Sequence, residues 1–256
     1  MVELGDYEQI PPRARLGFII PSSNRMVEPQ VQRYCPDGVV PHFTRIGMTN
    51  RHKAPLEVLK PRIVDAAELL GDSKVDVTVL QCTGTSMSGG VDPEREIIQA
   101  MAQATGKPAI STASSLMAGL AAVEAKRIVF ISESKADHHA EKEAYLREAG
   151  LDIAASRGMA LPRSDVYCIT PPEYWLDCVA EMRDDTVDAY FVSCANIHAT
   201  YVIDRLEERL NRPVLTSNQV ALWCALRTAG VEDDVPELGR LFKRGLVTQA
   251  AASAAE

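Results

Sequence analysis

No apolar run in this chain approaches the roughly 20 residues a helix needs to cross a membrane. Neither GxGxxG nor GxxxxGK(S/T) follows a strand-like run, so nothing marks a dinucleotide or P-loop phosphate site. The six cysteines contain no CxxC or CxxxC pair, which argues against a zinc ribbon or a thioredoxin-like redox motif. Positive charge is in deficit: 27 Lys and Arg stand against 35 Asp and Glu, a formal net charge of −8. That balance disfavours a nucleic-acid or anionic-membrane partner. Residues 1–12 are acidic, end at Pro11-Pro12 and lack the basic and apolar regions of a signal peptide. A cytoplasmic location is the default expectation, and there disulfides are not expected. His138, His139 and Asp137 have no spaced third partner, so no metal ligand set is expected and the pair reads as a solvated helix start.

The remaining composition is that of an ordinary globular protein. Apolar residues make up 46% and charged residues 24% of 256, enough for one large core or two smaller ones. Short apolar runs alternate with stretches of helical spacing. Strands are expected at 15–20, 39–48, 75–81, 107–112, 127–132, 151–159, 187–193 and 213–216. Helices are expected at 26–34, 56–70, 92–105, 114–125, 136–149, 173–183, 197–210 and 219–229. Thr83 to Gly90 and the proline-marked stretch between Pro162 and Pro172 read as loops, and the alanine-rich last ten residues as frayed. Strand–helix alternation of this kind gives the α/β class with parallel sheets.

The chain also repeats itself. Val75-Asp76 opens a mostly apolar run that ends in Cys82; Val187-Asp188 opens another that ends in Cys194. Arg15-Leu16-Gly17-Phe18-Ile19-Ile20 is matched by Arg127-Ile128-Val129-Phe130-Ile131-Ser132, and each arginine precedes its cysteine by 67 residues. Lys107-Pro108-Ala109-Ile110-Ser111-Thr112 is matched in turn by Arg212-Pro213-Val214-Leu215-Thr216-Ser217. Three matches in the same order indicate two related halves. The first two pairs are offset by 112 residues and the third by 105, so the loop after the first cysteine is the longer one.

Two such halves facing each other bring their strand ends to one cleft, the place where open α/β sheets hold ligands. Cys82 and Cys194 would then line opposite walls. One thiolate can remove a proton or add to a carbon while the opposite thiol supplies a proton. The surrounding segments are rich in hydroxyls and backbone N–H groups: Pro21-Ser22-Ser23-Asn24, Thr83-Gly84-Thr85-Ser86, Ala195-Asn196 and Thr216-Ser217-Asn218. Groups of this kind bind a carboxylate or a developing enediolate, and equally they cap helices. His198 reads as a packing histidine more readily than as a partner that polarises Cys194. Arg25, Arg51 and Lys53 read as a charged loop, with a second carboxylate as the alternative. Cys35, Cys168, Cys178 and Cys224 read as small buried residues.

On these residues the chain resembles the aspartate/glutamate racemase superfamily, and within it the branch of maleate cis–trans isomerase and arylmalonate decarboxylase. The resemblance spans about residues 15–242. It rests on Pro21-Ser22-Ser23-Asn24 with Glu28, on Ser193-Cys194 with the following helix and Arg212-Pro213-Val214, and on Gly239-Arg240-Leu241-Phe242. It implies two pseudo-symmetric parallel-sheet α/β domains, an active site in the cleft between them and no cofactor. The division expected is 13–112 completed by 217–246, and 113–216. The implied catalytic pair is Cys82 and Cys194. The implied substrate-binding residues are Pro21, Ser22, Ser23, Asn24, Thr83, Gly84, Thr85, Ser134, Ala195 and Asn196. Ser134 stands where isomerase and decarboxylase carry a tyrosine.

The leading expectation is a cofactor-independent isomerase of a maleate-like dicarboxylate. One cysteine adds to the double bond, the carbon–carbon bond turns, and elimination follows; the sequence leaves open which cysteine attacks. A racemase of an amino acid, hydantoin or related acid is the main alternative. A plain decarboxylase fits less well, since that enzyme lacks the first cysteine. A small-acid binding protein without turnover is the alternative of a different class. A small carboxylate or dicarboxylate is the expected partner, and a homo-oligomer the expected assembly.

Overall fold

The computed structural model describes residues 12–47 and 56–247. Arg51 and Lys53, the acidic leader before Pro12 and the alanine-rich end after residue 247 lie outside the described residues.

The first half runs β1 (Ala14–Pro21), α1 (Val27–Tyr34), β2 (Val39–Ile46), α2 (Leu56–Asp72), β3 (Val77–Leu80), α3 (Thr83–Met87), α4 (Val91–Thr105), β4 (Ala109–Ser111) and α5 (Thr112–Ala122). The second runs β5 (Arg127–Ser132), α6 (Ala136–Glu148), β6 (Asp152–Gly158), α7 (Ser164–Tyr167), α8 (Pro172–Ala180), β7 (Ala189–Ser193), α9 (Ile203–Leu210), β8 (Val214–Thr216) and α10 (Ser217–Thr228). The strands form two four-stranded sheets in the orders β2-β1-β3-β4 and β6-β5-β7-β8. All six pairings are parallel. The two orders correspond strand for strand, as the repeat predicts. No helix among the described residues is long and apolar enough to cross a membrane.

Alternation along each strand sorts its side chains between two faces. Leu16, Phe18 and Ile20 on β1 and Ile128 and Phe130 on β5 belong to one apolar cluster shared by both sheets. The other faces carry separate clusters: Ile19, Leu80, Ile63 and Leu70 on the first sheet, Val129, Ile131, Trp175 and Val192 on the second. Each of these side chains contributes about 1.5–3 kcal/mol on burial. Gly17 lies where α2 and β1 come closest; a Cβ there would sit 3.1 Å from Leu70 and 3.2 Å from Val75. α10 packs on α5 and, while keeping contact with β8, also reaches β1, β3 and β4 of the first sheet. It therefore links the ends of the chain across both sheets.

The repeated Val-Asp has a defined task. Asp76 accepts the backbone N–H of Arg15 at 2.8 Å, and Asp188 accepts those of Lys126 and Arg127 at 2.9 and 2.7 Å. Each aspartate thus fixes the start of the central strand of its sheet. These N–H groups hold the Asp188 carboxyl below the usual aspartate range. The third match has its own role. Ser111 with Ser114, and Thr216 with Gln219, form capping boxes at the starts of α5 and α10.

Four expectations need correction. Thr83–Met87 is a short helix rather than a loop, closed by the Ser86 N–H donating to the Cys82 carbonyl at 2.9 Å. The loop between Pro162 and Pro172 likewise contains α7. The single helix expected over 197–210 is split into a 3₁₀ turn at Ala199–Val202 and then α9. His139 is not solvated: it is buried, stacks on Phe130 at 4.7 Å between centroids, and shares a 2.7 Å hydrogen bond with Ser132. His138 beside it faces outward toward Glu141. Adjacent histidines point to different sides of a helix, and pattern reading treated them as a pair.

Candidate active site

β3 and β7 occupy equivalent inner positions, β3 between β1 and β4 and β7 between β5 and β8. Cys82 lies just beyond β3 at the start of α3, and Cys194 just beyond β7. The structure brings their surroundings together through one hydroxyl. Ser217, fully buried at the start of α10, accepts from the Thr83 hydroxyl at 2.8 Å and from the Cys194 N–H at 3.0 Å. The residue after one cysteine and the backbone of the other therefore meet on a single oxygen.

The two thiols differ in setting. Cys82 is partly exposed, and the Thr85 hydroxyl donates to its sulfur at 3.1 Å. The first turn of α3 has no side-chain cap, and Gly84 within it is exposed with open space around it. Cys194 is 9% exposed. Burial raises its pKa well above that of an ordinary thiol; Glu133 raises it further, Lys142 opposes this, and Cys82 adds to it. A negative charge on one sulfur thus disfavours a negative charge on the other. Cys194 also adopts a φ of 122°, outside the regions that non-glycine residues normally occupy. Strain of this kind costs on the order of 1–3 kcal/mol and gathers at functional sites. The Asn196 N–H, 3.3 Å from the Cys194 sulfur, and the Ser217 bond hold the loop in this shape.

The other expected site residues fall into three groups. Pro21, Ser22, Ser23 and Asn24 form the turn that ends β1. Arg45 spans it, donating to the carbonyls of Ser22 and Asn24 and pairing with Glu28. Ser22 is exposed, Ser23 partly so, and Asn24 is buried. The Asn24 oxygen caps α1 by accepting from Met26 and Val27, while its amide donates to the Ala195 carbonyl at 2.9 Å. Asn196 is occupied by protein partners: it accepts from the Arg25 N–H and donates to the Ser164 carbonyl and hydroxyl. Its side chain orders the loops, and its backbone N–H faces the Cys194 sulfur. Thr83 is spoken for by Ser217, whereas Ser134 lies at the carboxyl end of β5 with Lys142 donating to its oxygen at 2.9 Å.

His198 packs edge-on against Tyr201 at 5.7 Å and lies beside the Cys168 backbone. The helix that would have placed it next to Cys194 starts later than expected. Arg25 pairs with Asp165. Among the described residues, no cluster of three or more His, Cys, Asp or Glu side chains is arranged to hold a metal ion.

A profile of the arylmalonate decarboxylase family matches residues 16–242. The chain belongs to this family. Its wider setting, shared with the maleate isomerases, is the Asp/Glu racemase superfamily. A maleate isomerase of Pseudomonas putida is 26% identical over 241 residues, covering 89% of this chain and 96% of the relative. Among solved structures, a cysteine-to-alanine variant of a Pseudomonas putida maleate isomerase with maleate superposes with a TM-score of 0.84 at 23% identity. The match covers 92% of this chain and 99% of that one. A cysteine-to-serine variant of the Nocardia farcinica maleate cis–trans isomerase, bearing a covalently bound succinylcysteine intermediate, gives 0.81 at 22% identity over 90% and 98% of the two chains.

Within this family fold, four residues near the cysteines escaped sequence reading as individuals. Ser217 lay in a segment noted only for its hydroxyls. Glu133 and Lys142 form a buried ion pair, with Lys142 donating to both carboxylate oxygens at 3.0 and 2.9 Å. Tyr167, from α7, has its phenol pushed up to about 12 by burial and by the nearby Glu133 and Cys194. One signal was present: Lys142 shares a helical stripe with His139, Tyr145 and Leu146, all buried.

Proposed function

We propose that this protein is a cofactor-independent cis–trans isomerase acting on a maleate-like dicarboxylate. The observation that carries this reading is the unequal thiol pair at equivalent strand ends, joined through Ser217. Cys82 is the accessible sulfur and takes the nucleophile's role. Cys194 is kept protonated by burial and by Glu133, and takes the acid's role. The Cys82 thiolate adds to one alkene carbon, and the Cys194 thiol gives its proton to the other. A succinyl thioether results, and its central bond rotates freely. Cys194 then recovers the proton as the Cys82 sulfur leaves, and the trans diacid departs with no net loss of atoms. The succinylcysteine on the Nocardia farcinica enzyme, in a variant altered at another cysteine, is the same kind of adduct and supports this division of roles. The uncapped first turn of α3 and the hydroxyl of Ser134 are suited to the two carboxylates.

The test is proton NMR in deuterated water. Maleate should convert to fumarate, with loss of activity in both Cys82→Ala and Cys194→Ala. Cys194→Ala should slowly accumulate a covalent adduct on Cys82, its carbon protonated from solvent and its elimination stalled for want of the base, detectable by intact-mass measurement. Exchange at the α-carbon of an amino acid or hydantoin without conversion of maleate would replace this reading by a racemase. Full activity in both cysteine variants would remove the two-thiol mechanism.

A further inference from the structure

The Lys142 ammonium lies 3.0 and 2.9 Å from Glu133 Oε1 and Oε2 and donates to Ser134 Oγ at 2.9 Å. All three residues are buried. A buried ion pair is costly to desolvate and is weak evidence of stability by itself. Here one arm of the ammonium is spent on a neutral hydroxyl rather than on the carboxylate. Because Ser134 Oγ accepts from Lys142, its own proton must point away from the ammonium. It meets no acceptor among the described residues. Ser134 lies two residues beyond β5, and β5 pairs with β7 in the register Ser132 to Ser193, so it stands at the same sheet edge as Cys194. Glu133 and Lys142 both act on the Cys194 thiol, and Tyr167 senses Glu133 and Cys194 together.

We propose that Lys142 is a positioning residue: it pins the Ser134 oxygen so that the Ser134 O–H is presented to one carboxylate of the bound acid beside Cys194. This rests on the functional reading above only in taking a carboxylic acid as the ligand. The ammonium polarises the hydroxyl it donates to, which makes that hydroxyl a better donor to an anion. Glu133 keeps the ammonium from offering its full charge to the cleft. The site therefore presents a hydrogen bond of fixed direction rather than a free cation. Lys142 itself does not touch the acid.

The test measures binding without turnover. Succinate, which has no double bond to react, is titrated as a protector of Cys82 against iodoacetamide, with the Cys82 peptide followed by mass spectrometry. Lys142→Met alone would strand a buried carboxylate, so the pair is neutralised together as Glu133→Gln with Lys142→Met. Ser134→Ala should weaken protection about tenfold, the loss of one hydrogen bond to an ionised group. The double variant should weaken it to a similar degree. Adding Ser134→Ala to the double variant should cost little more, because both changes remove the same interaction. Independent, multiplying losses would overturn the proposal, as would unchanged protection in Ser134→Ala or no protection in the wild type. A merely structural pair would lower the melting temperature and leave succinate protection intact. Protection with the expected pattern but no conversion of maleate would leave this inference standing and remove the isomerase reading. Conversion of maleate with additive losses would do the reverse.

Discussion

Ser217→Ala removes the one oxygen shared by the surroundings of both cysteines. Two buried donors lose their acceptor, the Thr83 hydroxyl at 2.8 Å and the Cys194 N–H at 3.0 Å. The threonine hydroxyl can rotate, whereas the backbone N–H moves only if the loop after β7 moves with it. An unsatisfied buried donor costs about 1–3 kcal/mol and a lost neutral hydrogen bond about 1 kcal/mol, so the expected loss is about 2–4 kcal/mol. For a chain of this size each kcal/mol lowers the melting temperature by roughly 2–4 °C. A drop on the order of 10 °C is expected, with a matching shift of the urea midpoint at unchanged slope. The Cys194 φ of 122° relaxes once its anchor is gone. Under the proposed mechanism, with Cys194 as proton donor, the reaction should lose about 10–100-fold in kcat, with a smaller change in KM. Thr83→Val supplies the control. Combined with Ser217→Ala it should cost less than the sum of the single variants, since the same contact is removed twice. A Ser217→Ala protein with wild-type melting and wild-type kcat would refute the claim that this hydroxyl couples the two walls.

Three further outcomes can be checked directly. At pH 7.5 iodoacetamide should modify Cys82 well before Cys194, which is buried and held protonated; peptide mass spectrometry that found Cys194 labelled first would reverse the assigned roles. Asp188→Ala should cost about 1–2 kcal/mol in urea unfolding, and Asp76→Ala somewhat less, because Asp188 holds two N–H groups and Asp76 one. The Asp188 carboxyl is depressed in the folded state, so its stabilisation is present above the unfolded aspartate value near 4. It disappears as pH falls through the lower folded value, and the Asp188→Ala variant should show a shallower acid loss of stability than wild type. Gly158→Ala places a Cβ 2.9 Å from the Ser134 carbonyl and 3.1 Å from the His139 ring; it should raise KM severalfold by shifting Ser134, and unchanged kinetics would show that this strand end tolerates movement.

The duplicated architecture was legible because it is written in short-range terms. Apolar runs of four to eight residues, turn residues after them and a constant separation between an arginine and a cysteine are properties of the chain itself. The same arithmetic found the two thiols. Their inequality was not legible, because it comes first from the burial of Cys194 and then from Glu133 and Lys142, which approach it from the end of β5 and from α6 only after folding. Lys142 belonged to a charged helix that pattern alone would expose, and His139 was lost to the same habit. Asn24 and Asn196 could be named as polar loop residues, but their commitment to carbonyls and N–H groups across the cleft depends on tertiary placement. Thr83–Met87 escaped because its small hydroxylated residues favour turns and caps as readily as helix.

Asn218 occupies a seam. It accepts from Gln81 at 2.8 Å and donates to Gln30 at 2.7 Å and to the Ala195 carbonyl at 3.1 Å. Asn24 donates to that same carbonyl, and Gln30 donates to the carbonyl of Ile197. Every one of these amides is buried. Swinging the two halves apart like a jaw would break four of these five bonds at once, all but that of Asn218 to the Ala195 carbonyl, which lies within the second half. At about 1 kcal/mol net for each bond exchanged for water, that motion costs several kcal/mol, a sizeable part of the stability of an ordinary domain. The floor of the cleft is thus a base that resists opening, with Arg25 and Asp165 paired in solvent nearby.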